Sequence, residues 1–342
     1  MRNRLTKNRS PIRRYNADKY ILTSLVGFAA TVIITRVFLQ LTGFPQLGNS
    51  VLHFAHALWG GLLLIVVALL PLAFNNRWAL QASAVLGGIG IGLFMDEVGK
   101  FITQANDYFF PPALPLIYGF ILLIVLVYLY FRRPPEEDAR VAMYHALEGL
   151  KDLLDGDLDV AEANQIKAQF AVASRSDRAE IVSLANILHN YLLEEDDHLP
   201  VAKADFLKRA RFQIGKVGKR LGRHWHRIVI SMILVGWLVL VVGYIAAIFL
   251  GVGNLDPQVY QLRYLLIGLQ IVIGLLIGIA TYNWLRREEE RALKFGLSGV
   301  LFSLVALQLL YFYISQFAAL TATLLQLVIL LVFLAYRRWY LE

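Results

Sequence analysis

"ALQASAVLGGIGIGLFMDEVGKFIT", residues 79–103, decides the fold. From Ala79 to Met95 its only polar side chains are Gln81 and Ser83. A helix rises about 1.5 Å per residue, and the hydrocarbon core is about 30 Å thick. The run therefore has the length and composition of a membrane span. It then carries Asp96, Glu97 and Lys100 within five residues.

Seven further runs resemble it. The spans fall near 20–41, 51–73, 79–102, 113–131, 227–250, 262–283, 296–316 and 318–336. The chain has 342 residues, 58% of them hydrophobic, with a mean hydropathy of +0.56. Backbone polar groups in lipid must be satisfied within the segment, which a lone helix achieves and an open strand does not. A β-barrel would alternate over short segments, and these runs do not. The sequence thus predicts an all-α integral membrane protein with eight transmembrane helices. The first run is too long for a signal-peptide core and lacks a small-residue cleavage site, so it reads as a retained helix. There is no cysteine, which excludes disulfides, thiol catalysis and Cys-ligated zinc.

Loop charges set the expected orientation. Residues 1–19 hold seven basic side chains and one acid. Arg77 lies in the next loop on that side, Arg286, Arg287 and Arg291 in a later one, and Arg337 and Arg338 in the tail. The alternate loops hold no Lys or Arg over 42–50, 103–112 and 252–261. With eight spans every basic loop falls on one side. The positive-inside rule then predicts a multi-pass protein of the cell membrane with both termini cytoplasmic. Tyr20, Trp78, Tyr108, Tyr260, Trp284 and Trp339 lie near span ends, where aromatic belts sit.

Four segments follow: a basic N-terminus (1–19), a four-helix unit (20–131), a cytoplasmic helical insert (132–226) and a second four-helix unit (227–342). "RRPPEEDAR" ends the fourth span. "VAMYHALEGLKDLL" predicts an amphipathic helix with Val141, Tyr144, Leu147, Leu150 and Leu154 on one face. Two more helices follow, the last capped by Ser176 or Asp177. Residues 136–197 hold fifteen acids and five bases. "DGDLDVAE" is no calcium loop, because Val160 and Ile166 stand where an EF-hand needs glycine and glutamate. The basic stretch 203–227 is expected to lie on anionic lipid headgroups or to fold back on the acidic insert. No nucleic-acid reader or nucleotide loop is present, so nucleic acid is not an expected partner. "LVGF" at 25–28 matches "LVGW" at 234–237, and "KFITQ" at 100–104 matches "FYISQF" at 312–317. The near-constant offset suggests a parallel repeat of the four-helix unit. It aligns Asp96 with Gln308.

Depth brings the ionisable residues together. Asp96 lies about 25 Å along its span from Ala79. With alternating span directions, Arg36, His53, His56, Asp96, Glu97 and Lys100 share one level near the outer face. Ala84, Gly88, Gly92, Asp96 and Lys100 recur every four residues along one stripe. Small residues there admit a neighbouring helix, so the stripe is expected to face protein. "GGIGIG" lies mid-span and serves the same packing. Ionisable side chains at membrane depth are costly and mark functional sites. The blander reading is structural: Asp96 with Lys100, and Arg36 with Glu97, as internal ion pairs.

Three functions fit. A transporter or ligand sensor would use the six residues as a binding or proton-relay site. A membrane-embedded enzyme acting on a lipid or small molecule would hold a divalent metal on His53, His56, Asp96 and Glu97. A scaffold would use the charges for assembly alone.

Overall fold

The computed structural model describes residues 10–43, 55–105, 107–108, 110–133, 138–194, 206–250 and 257–341. For 206–221, 248–249, 257–261 and 316–317 only the backbone is described. All regular elements among these residues are helices: α1 (Ala17–Thr42), α2 (His56–Ala73), α3 (Arg77–Asp96), α4 (Val98–Ile102), α5 (Ala113–Arg132), α6 (Ala139–Leu154), α7 (Val160–Ala173), α8 (Ala179–Glu194), α9 (Phe206–Leu250), α10 (Pro257–Leu285), α11 (Glu289–Phe302), α12 (Gln308–Ile314) and α13 (Gln316–Tyr340). A π-turn, Ser303–Leu307, joins α11 to α12. Among the described residues eight helices are long and apolar enough to cross a membrane: α1, α2, α3, α5, Gly222–Ala247 of α9, Leu262–Leu285 of α10, Glu289–Ile314 and Ala318–Tyr340. The protein is an all-α polytopic membrane protein.

The chain forms two compact units. The first is Met1–Glu97 with Leu123–Ala204; the second is Val98–Leu122 with Asp205–Glu342.

In the first unit α3 lies between α1 and α2, and its glycines explain how. A Cβ on Gly88 would meet the Ser24 carbonyl oxygen at 2.5 Å, and one on Gly92 would meet Thr31 Cβ at 2.6 Å. On the other flank Gly60 and Gly90 approach so closely that a Cβ on Gly60 would lie 2.7 Å from the Gly90 oxygen. Ser24 Oγ also donates to the Ala84 oxygen at 2.8 Å. Small side chains thus let three backbones close up where lipid offers no hydrophobic drive.

The insert, α6 to α8, has its own core of Ala142, Met143, Ala146, Leu158, Ile166, Phe170 and neighbours. This corrects the expected face of α6. Tyr144, Leu147 and Leu154 are exposed. The helix buries its small residues instead, because Gly149 packs where a Cβ would sit 2.8 Å from Ile166 Cδ1. Asp138 caps α6 and Asp159 caps α7 through backbone N–H groups. At the third helix the Ser176 hydroxyl accepts from Arg178 N at 3.3 Å.

In the second unit α10 to α13 and the membrane part of α9 share one core, including Ile230, Leu266, Ile273, Ile277, Val300 and Phe333. The helix α9 bends at Gly222, whose φ of 73° lies in the left-handed region that glycine tolerates. Beyond this bend two arginines converge on one acid. Arg223 and Arg227 reach the nearly buried Glu289 at 2.8 and 3.2 Å, and Tyr336 donates to it at 2.7 Å. Residues 203–205 of the basic stretch lie outside the described residues.

Candidate functional site

Asp96 ends α3 and is fully buried, as is Glu97 beside it. The helix stops here because Glu97 leaves helical geometry at φ −91°, ψ 10°. The expected span 79–102 is therefore not continuous. Lys100 stands on the separate short helix α4, in the second unit, with Nζ 5.5 Å from the centre of the Tyr108 ring. The four-residue stripe holds as far as Asp96 and does not extend through Lys100 on the same helix.

The break aims two adjacent carboxylates at two neighbouring helices. Arg36, near the end of α1, donates from Nε to Asp96 Oδ1 at 2.7 Å and from Nη2 to the Asp96 carbonyl at 3.3 Å. His56, the first residue of α2, places Nε2 3.1 Å from Asp96 Oδ2. Its Nδ1 lies 3.7 Å from Glu97 Oε1. Glu97 Oε2 accepts the backbone N–H of Ala57 at 3.0 Å, so it caps the open first turn of α2. The Arg36 side chain is 12% exposed and that of His56 24%. The structural reading of the sequence pairs Arg36 with Glu97 and Asp96 with Lys100. The geometry puts Arg36 on Asp96, because the chain turns Glu97 away toward α2. His53 lies outside the described residues.

His56 stands between two carboxylates. A doubly protonated imidazole can donate to both, whereas a neutral one can donate to one only. The imidazole is thus within hydrogen-bond distance of Asp96 and 3.7 Å from Glu97, inside a site where charge is poorly screened.

A divalent metal fits this set poorly. Among the described residues no three His, Asp or Glu side chains are grouped to hold one. Arg36 brings positive charge onto Asp96, and Glu97 spends one oxygen on Ala57. A zinc site would need those lone pairs.

The other end of α3 carries a contact that sequence reasoning missed. Arg77 Nη1 reaches Asp152 Oδ2 of α6 at 2.9 Å and Glu162 Oε1 of α7 at 2.7 Å. Asn76 Nδ2 donates to Asp155 at 2.8 Å, and Lys151 donates to Asn75 at 3.1 Å. Around it Arg14 pairs with Glu148, Tyr15 donates to Gln165, and His145 bonds the Arg13 carbonyl. In the sequence Arg77 reads only as a loop charge. Its position at a helix start, facing an insert rich in acids, was the available signal. Burial, with the nearby charges of Glu162 and Asp157, raises the Asp152 carboxyl above its ordinary range against the lowering pull of Arg77.

Comparison with known protein families, characterised proteins and solved structures yields no match.

Proposed function

We propose that this protein senses a ligand or proton in the membrane through the Arg36–His56–Asp96–Glu97 cluster and reports its state to the insert. The observation that supports this most is the placement of α3. One helix ends in the cluster at Asp96 and begins at Arg77, held by Asp152 and Glu162. Nineteen residues separate the two, about 28 Å along a helix. Close glycine contacts hold α3 against α1 and α2, so a shift at Asp96 moves a packed element rather than a loose loop. The cluster and the insert lie at opposite ends of α1 and α3.

On this reading the loop charges put the insert and both termini in the cytoplasm and the cluster toward the outer face of the cell membrane. His53 and Lys100 remain proposed members of the binding or relay set. The basic stretch 203–227 is proposed to meet anionic headgroups. Transport through the same cluster is the second reading, favoured by the break in α3 beside two buried carboxylates.

The test uses the absence of cysteine. Leu154, 88% exposed on the insert, is changed to cysteine and labelled with an environment-sensitive dye in lipid nanodiscs. The probe is the proton, titrated across about pH 5 to 8, where imidazoles change charge. The expected result is a sigmoidal signal that His56→Gln abolishes. An identical titration in parent and variant would overturn the proposal.

A further inference from the structure

Among its described residues the second unit buries the uncharged polar side chains Gln270, Ser303, Gln308, Thr323 and Gln326. Two are accounted for. Gln270 Nε2 donates to the Tyr311 hydroxyl at 2.9 Å, and Thr323 Oγ1 donates to the Ala319 carbonyl at 2.8 Å. Among the described residues Ser303 Oγ, both polar atoms of the Gln308 amide and Gln326 Oε1 have no protein partner. Ser303 and Gln308 are 0% exposed and Gln326 is 9%. Buried polar groups are almost always hydrogen-bonded, so such a group needs an explanation.

Helix register brings the three together. Gly296 of α11 packs on Phe333 of α13 so closely that a Cβ there would lie 2.8 Å from Phe333 Cε2. Ser303 lies seven residues beyond Gly296, and Gln326 lies seven before Phe333. Seven residues are about two helical turns, and the helices run in opposite senses along their contact. Ser303 and Gln326 therefore return to the same facing sides at the same level. The π-turn adds Gln308. In a regular helix five residues would leave it about 140° round from Ser303. The widened turn instead lets the Gln308 N–H donate to the Ser303 carbonyl and swings its side chain toward the Ser303 face. Tyr118 is built around the same irregularity, since its hydroxyl donates to the Leu304 carbonyl inside the π-turn at 2.7 Å. Such turns are frequent at functional sites.

We propose that the π-turn forms a binding site for an internal water, held by Ser303, Gln308 and Gln326. The side chains select the occupant. The Gln308 amide presents a donor and an acceptor, so its partner must both accept and donate. A bare cation would suit the two amide oxygens and be repelled by Gln308 Nε2. An anion would suit Nε2 and be repelled by the oxygens. One water donates to Gln308 Oε1 and Gln326 Oε1 and accepts from Gln308 Nε2 and the Ser303 hydroxyl. Two to four polar partners are what a buried water requires. The site lies about 21 Å along its span from Glu289, well inside the apolar layer.

The test is hydroxyl-radical footprinting by X-ray pulses on the full chain in lipid nanodiscs, read by mass spectrometry. Leu304 and Leu307, 6% and 3% exposed, flank the site; Leu234 and Leu266, 1% and 0% exposed, serve as dry controls. The expected result is severalfold faster modification of Leu304 and Leu307 than of the controls, falling to the control rate in Gln308→Met. Equal rates in the native chain would overturn the proposal without any variant. Repeating the native measurement in sodium chloride and in choline chloride tests a cation. Slower labelling at Leu304 and Leu307 in sodium alone would show that sodium displaces the water, and would overturn the assignment of an uncharged occupant. Equal labelling in the two salts, above the controls, supports it.

Discussion

Replacing Asp96 alone should harm the protein more than replacing Asp96 and Arg36 together. Asp96 is fully buried and holds Arg36 at 2.7 Å and His56 at 3.1 Å. Asp96→Leu leaves the guanidinium without its nearest carboxylate. Removing one partner of a buried pair costs about 3–5 kcal/mol. Arg36 keeps 12% of its side chain exposed, which places the expected loss near the lower end, about 3 kcal/mol. At roughly 2–4 °C per kcal/mol this is a drop of about 6–12 °C in thermal midpoint. Asp96→Leu with Arg36→Met removes both charges at nearly constant volume and should recover most of the loss, since apolar replacements of buried pairs are often neutral. The assay is tryptophan-fluorescence melting in nanodiscs for the parent, both single variants and the double, closing a cycle that isolates the pair. Additive losses, or an Asp96→Leu chain within about 1 kcal/mol of the parent, would refute the pairing.

Gly88→Ala should destabilise the first unit by about 1–3 kcal/mol, because the new methyl meets only backbone (the Ser24 oxygen, Gly27 Cα and Phe28 N), which cannot swing aside as a flexible side chain would, whereas Gly61→Ala, with open space around it, should be neutral or stabilising; paired melting curves check both. Tyr336→Phe should cost about 1.5–3 kcal/mol in thermal unfolding by stripping a hydrogen bond from buried Glu289. Arg77→Ala should leave the membrane helices folded but raise proteolytic cutting in α6 and α7, measured by limited digestion in nanodiscs. Asp152→Asn tests a sign. Burial lifts the Asp152 carboxyl above its unfolded value, so the folded chain binds that proton more readily. Asp152 therefore favours folding below the window and opposes it as pH rises, so the Asn variant should gain stability relative to the parent between about pH 4 and pH 7. Circular-dichroism melts at both pH values read the difference.

The spans were legible because length and hydropathy alone decide whether a helix suits a bilayer. Eight apolar runs became eight helices of that kind. The glycines of α3 were also legible, since small residues every four positions have one packing use. What sequence could not carry was rotation and partner choice. Asp96 and Glu97 are neighbours, and only the local break in α3 sends one to Arg36 and the other to the start of α2. The face of α6 was misread because apolar size outweighed Ala142, Ala146 and Gly149, whose smallness lets α7 approach. The π-turn before Gln308 has no composition signature. The proposed repeat aligns Gln308 with Asp96, and each borders a departure from α-helical geometry.

Hydrogen exchange across the insert tests the central claim that α3 couples the cluster to α6 and α7. The chain is compared as parent, Asp96→Asn, Arg77→Ala and the double variant, in nanodiscs at one pH. The coupling account predicts that Asp96→Asn changes exchange in residues 146–170, and that the change disappears in the Arg77→Ala background. Exchange in that segment that ignores Asp96→Asn, or responds equally with and without Arg77, would contradict it.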